Sequence, residues 1–221
     1  MTIRLRNRLT LSFFILAITC LFIAVFFTCF QFFSKTLIIP EIFSKGLSDS
    51  FLFRFRPWVV FTGIFLIMAY TCITSLIILH AFEKTQATDI TFFLLFLLAC
   101  LCDTSRIIVP LLNLSGNYSQ LLLKVGNIQL FARLFAPLAL MANTILSSEE
   151  FRQHTDRICI ILIIVAIFFA EFIPLNTAVI LPNFCISYGY VKSIRIFTFS
   201  VSLLSTFFLF LNNRKNEYNR L

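Results

Sequence analysis

A chain of 221 residues that is 59% hydrophobic and 13% charged, with thirty Phe, cannot cover a water-soluble globule with polar surface. Soluble domains carry about 25% charged residues. A mean hydropathy of +0.95 therefore excludes a cytosolic enzyme, a disulfide-stapled secreted domain and a disordered regulator. The net charge of +8 is scattered over termini and connecting segments, with no basic face, so it anchors helices at headgroup level and argues against nucleic acid as a partner.

A hydrocarbon core of about 30 Å takes about 20 apolar residues in helical form. Solid apolar runs, rather than alternating ones, exclude a membrane barrel. Six spans are predicted, at 9–33, 57–82, 90–114, 127–147, 158–180 and 193–211. The expected fold is all-α: a polytopic membrane protein with about six transmembrane helices in a bundle, forming a single membrane-embedded helical domain over 1–221, with the lipid bilayer as its surroundings.

The first span follows Arg4, Arg6 and Arg8. Its apolar run is longer than a secretory h-region and lacks a small-x-small cleavage site, so it is expected to stay as an uncleaved anchor. Segment 34–56 carries Pro40 and Gly46, then Phe51, Phe53, Arg54, Phe55 and Arg56 before Pro57 and Trp58. Arg and Trp beside apolar side chains predict an interfacial segment between the first and second spans. In the second span, Tyr70 and His80 read as lying toward the face opposite the charges described next.

With the amino terminus inside, nine Lys and Arg fall on the inner side and seven on the outer. The Arg4–Arg6–Arg8 cluster tips the expectation toward both termini cytoplasmic, in a plasma (inner) membrane. Cys20, Cys29, Cys72, Cys100, Cys102 and Cys159 sit inside apolar runs, where Cys behaves as a small hydrophobe. Cys100 and Cys102, two apart on a helix, point to nearly opposite sides, so no metal is expected, and no cofactor motif is present. Glu150 and His154 share a helical face in a charged connector and read as a solvated helix extension. With only five Gly, close helix contacts are expected to use Ala, Ser, Thr and Cys.

Charged side chains within spans are costly and usually face a bundle interior or cavity. Four stand out: Asp103 and Arg106 in the third span, Arg133 in the fourth and Glu171 in the fifth. Counting about 1.5 Å per residue from the span ends, and alternating helix directions, puts all four in the same half of the bilayer. Each motif runs into Pro-Leu within about a turn, at Pro110, Pro137 and Pro174. A helical proline frees the carbonyl four residues earlier, which here belongs to Arg106 and Arg133 in two of the three cases. These prolines are expected to act as hinges beside a cavity whose ligand-binding residues are Asp103, Arg106, Arg133, Glu171 and Asn176. The competing reading is a set of buried ion pairs that holds the bundle in register.

Two functional readings lead. In the first, the chain is a ligand- or lipid-responsive sensory module. Arg106 and Arg133 hold a small anionic ligand or a lipid headgroup, and the signal passes to a cytoplasmic protein partner. In the second, it is a small proton-coupled transporter or transporter subunit, with Asp103 and Glu171 as proton carriers. An integral membrane enzyme acting on a lipid, and a structural assembly subunit, stand behind these; no catalytic residue is singled out.

Overall fold

The structure is a computed structural model that describes residues 3–34, 56–82, 88–114, 119–145 and 154–218. The expected interfacial segment between the first two spans lies outside the described residues, as does Glu150. Among the described residues the chain forms α1 (Ile3–Phe33), α2 (Pro57–Ala81), α3 (Thr88–Asp103), α4 (Ile108–Leu111), α5 (Ser119–Ile145), α6 (Thr155–Phe172), a hairpin of β1 (Leu175–Ile180) and β2 (Ile186–Tyr188), and α7 (Val191–Tyr218).

Among the described residues five helical stretches are long and apolar enough to cross a membrane: Ile3–Phe33, Pro57–Ala81, Asp89–Leu111, Gln120–Ile145 and Val191–Leu211. The expected all-α membrane bundle is therefore present, with a small sheet added. The expected fifth span is the one that differs. α6 carries Asp156 and Arg157 in its first turn and Glu171 beside its last residue. The uncharged run between them, 158–170, is about 20 Å long at 1.5 Å per residue, shorter than the hydrocarbon core.

α6 stops where it does because of Pro174. A residue before proline is steered out of the helical region, and Ile173 is extended, with φ −79° and ψ 123°. The next residues include β-branched Thr177, Val179 and Ile180, which suit a strand. Leu181 to Phe184 then make a tight turn, with the Phe184 amide donating to the Leu181 carbonyl at 2.9 Å and Pro182 at the second position. Asn183 Oδ1 accepts from the Cys185 amide at 3.3 Å. Proline early in a turn and an Asn closing it are usual turn chemistry. The chain returns antiparallel as β2, pairing Leu175 with Tyr188 and Asn176 with Ser187. Residues 175–180, expected as helix, are thus strand.

The hairpin folds its tip into the bundle, while Asn176, Ala178 and Val179 of β1 stay exposed. Phe184 is fully buried and its ring centre lies 5.2 Å from that of Phe61. It shares a core with Ala24, Ile64, Met68, Ile107 and Leu111, which come from α1, α2, α4 and the turn before α4. Ile186 packs with Val109, Leu114, Leu122 and Val125. The Ile186 amide donates to Gln129 Oε1 of α5 at 3.0 Å, so a helix side chain satisfies the strand. At the neck, the Gly189 amide donates to the Pro174 carbonyl at 2.8 Å.

α5 is the hub, touching α3, α6, α7 and both strands. α1 packs mainly on α2, antiparallel to it: Arg6 at the start of α1 donates to the Phe82 carbonyl at 2.6 Å, and Phe32 at its other end stacks edge-on to Trp58. Close approach uses small residues, as expected from the glycine count. Ala17, Ala99, Ala139, Ala166, Thr71 and Ser75 are all essentially inaccessible. The Thr71 and Ser75 hydroxyls donate to carbonyls of their own helix, at 2.7 and 2.9 Å.

Candidate functional site

Asp103 ends α3 and Arg106 lies in the 3₁₀ turn Thr104–Ile107 that joins α3 to α4. The turn follows from Pro110, which offers no N–H to the Arg106 carbonyl and crowds it. The helix tightens there, and the Ile108 amide donates to the Ser105 carbonyl three residues back. α4 then closes with Asn113 at φ 47° and the Leu114 amide donating to the Val109 carbonyl at 3.1 Å, a Schellman-type end. Across the turn, Arg106 Nη2 and Asp103 Oδ2 form an ion pair at 3.2 Å.

Arg133 faces this pair from α5. Its Nη1 donates to the Tyr188 hydroxyl at 3.1 Å and its Nη2 to Cys185 Sγ at 2.9 Å. The guanidinium carbon lies 5.5 Å from the centre of the Tyr188 ring. The hairpin therefore supplies all of Arg133's hydrogen-bond partners among the described residues. Cys185 is itself buried.

Asp103, Arg106 and Arg133 line one cavity of about 600 Å³ between α2, α3 and α5. Its apolar walls are Leu66, Ile67, Ala99, Ala132 and Ala136, and Tyr70 and Cys100 complete it. One carboxylate against two guanidiniums leaves an uncompensated positive charge. Arg106 Nε is buried with no acceptor among the described residues, and an orphaned buried donor is uncommon and costly.

Several expected placements change. Tyr70, expected on the far side, lines the cavity. Glu171 does not join it: because α6 ends at Phe172, Glu171 sits at the helix end, exposed, with its Oε2 accepting from Asn127 Nδ2 at 2.8 Å. Asn176 is exposed on β1, and its Oδ1 accepts from the Ala178 amide at 3.2 Å. Of the three prolines, Pro110 follows the 3₁₀ turn, Pro137 lies buried inside α5, and Pro174 terminates α6 rather than bending it. Among the described residues no three His, Cys, Asp or Glu side chains come together as a metal site.

Sequence reading missed Cys185 and Tyr188 as partners of Arg133. The signal was present: a proline followed by β-branched residues, a Leu-Pro-Asn turn and a second short apolar run fits a hairpin. Beyond the geometry, likeness to known proteins adds nothing: no family model, no curated protein and no solved structure matches this chain.

Proposed function

We propose that this is a ligand- or lipid-responsive membrane module whose occupant is a small or amphiphilic anion held between Arg106 and Arg133. The observation that carries the reading is the excess positive charge of the Asp103–Arg106–Arg133 cavity, set among apolar walls at membrane depth. An isolated cation there is costly, and an anion neutralises it. Asp103 orients Arg106, Tyr70 offers a hydroxyl, and the hairpin holds Arg133 through Tyr188 and Cys185. Glu171 and Asn176 are left out of the binding set.

The same proposal takes α6 as a sixth, short crossing whose missing depth is filled by the hairpin, within a single helical domain. Both termini then lie on one side, assigned to the cytoplasm of a cell bounded by a plasma (inner) membrane. A cytoplasmic protein partner receives the signal there. A second reading, proton-coupled transport with Asp103 as carrier, is favoured by one feature: a second cleft opens on the α7 side of Arg133, so this side chain separates two cavities.

The test is thermal unfolding of the detergent-purified protein with decanoate or citrate. A ligand at 100 times its dissociation constant stabilises by about 2.7 kcal/mol. The proposal expects at least one of these to stabilise the wild type, and the effect to disappear in Arg106→Gln. A flat response, with Arg106→Gln strongly destabilised, makes the charges struts. Counterflow of the stabilising anion in liposomes selects the transport reading.

A further inference from the structure

The second cleft has its own chemistry. It holds about 400 Å³ between α5, the end of the hairpin and α7, and includes Arg133, Tyr188, Arg195, Thr198 and Ser202 over an apolar floor with Leu140 and Ile194. Among the described residues no carboxylate lines it. Arg195 is exposed, and its guanidinium has no hydrogen-bond or ion-pair partner among the described residues, while its carbonyl accepts from the Thr198 hydroxyl at 3.1 Å. The Tyr188 hydroxyl accepts from Arg133, which leaves its own proton free to donate. Arg195 lies about 6 Å along α7 from Val191 and Ser202 about 17 Å, at 1.5 Å per residue. Polar side chains line the α7 wall along this length, with Leu140 and Ile194 as the apolar part of the lining, a mixture that suits an anionic amphiphile.

We propose that this cleft is a phosphate-binding site, in which Arg195, Arg133 and the Tyr188 hydroxyl hold a phosphate oxyanion. Two guanidiniums and a hydroxyl suit the oxygens of a phosphate, which Arg recognises in bidentate fashion. The phosphate comes either from the headgroup of an anionic phospholipid, with acyl chain along Leu140 and Ile194, or from free inorganic phosphate. The cleft shares Arg133 with the cavity of Asp103 and Arg106, and Arg195, which lies outside that cavity, tells the two sites apart.

The experiment has two arms on the protein purified in neutral detergent. In the first, equal amounts of dioleoylphosphatidylglycerol and dioleoylphosphatidylcholine are added and retained lipid is counted by native mass spectrometry. In the second, inorganic phosphate is titrated and thermal unfolding is followed. A lipid headgroup site gives at least tenfold preference for phosphatidylglycerol in the wild type, falling to parity in Arg195→Gln and persisting in Lys192→Gln. A free-phosphate site gives a rise in Tm with phosphate that Arg195→Gln abolishes. Arg106→Gln changes neither arm, which keeps this result distinct from that of the first cavity. No preference and no phosphate response in wild type, or either response unchanged in Arg195→Gln, overturns the proposal.

Discussion

α5 and α1 are both long apolar helices, yet their surroundings are opposite. Within their most apolar membrane-crossing stretches, 56% of the residues of α5 are buried in the protein, against 11% of those of α1. α5 carries Gln129 and Arg133, both engaged by the hairpin, and borders both cavities. α1 presents Phe22, Phe26, Phe30 and Phe33 outward. In lipid an exposed Phe is not a fault, since there is little hydrophobic drive to bury it against another helix. Polar side chains have no such freedom and collect where protein surrounds them. The contrast between the two helices separates what lipid solvates from what only protein can.

Substitutions break or sharpen that contrast in a definite order. Phe184→Ala, which empties a site inside the bundle at the hairpin tip, is expected to have the largest effect, with stability falling by about 3–5 kcal/mol. Chemical or thermal denaturation in detergent measures it. Next is Gly189→Ala. A Cβ there would stand 2.9 Å from Pro174 Cγ and 3.3 Å from the Pro174 carbonyl oxygen, a ring and a backbone atom that cannot easily yield. Overpacking of this kind costs about 1–3 kcal/mol, and loosening the neck exposes Cys185.

That exposure can be read by thiol labelling. Cys185 is buried, so it is protected sterically. Wild-type protein is expected to label slowly there, faster as the pH rises, and Gly189→Ala to label at least tenfold faster at constant pH. Equal rates would detach the neck from the seating of the hairpin. The smallest effect belongs to α1. Phe26→Leu, at a side chain 66% exposed, is expected to change stability by no more than about 0.5 kcal/mol; a larger loss would mean that another protein surface covers this face.

The same contrast explains how far the sequence could be read. Apolar run length located α1, α2, α5 and α7, and the three-residue spacing put Asp103 and Arg106 on one side of their helix. Depth counting brought Arg133 to the same level without any knowledge of the bundle. Glu171 nevertheless stays out of the cavity, since Pro174, read as a bend in a continuing helix, is the helix end. A short apolar run such as 175–180 has no periodicity that separates strand from buried helix. Tyr70 was misjudged for a different reason. It lies thirteen residues into α2, about 20 Å by helical rise, roughly a turn deeper than Asp103, a gap its long side chain covers. The partners of Arg133 needed the hairpin, and the hairpin's seat depends on contacts from α1, α2 and α5 that no local pattern encodes.

Whether the charges of the first cavity bind or merely brace is decided most directly by neutralising both members of the ion pair at once. Neutralising both partners leaves no unpaired charge, whereas removing one strands the other, which is the costly case. Asp103→Asn combined with Arg106→Gln, examined by thermal unfolding with and without the stabilising anion, is expected to fold with a Tm near wild type and to lose the anion-induced rise. A double variant that keeps the full rise, or that fails to fold while both single variants remain stable, would contradict the account.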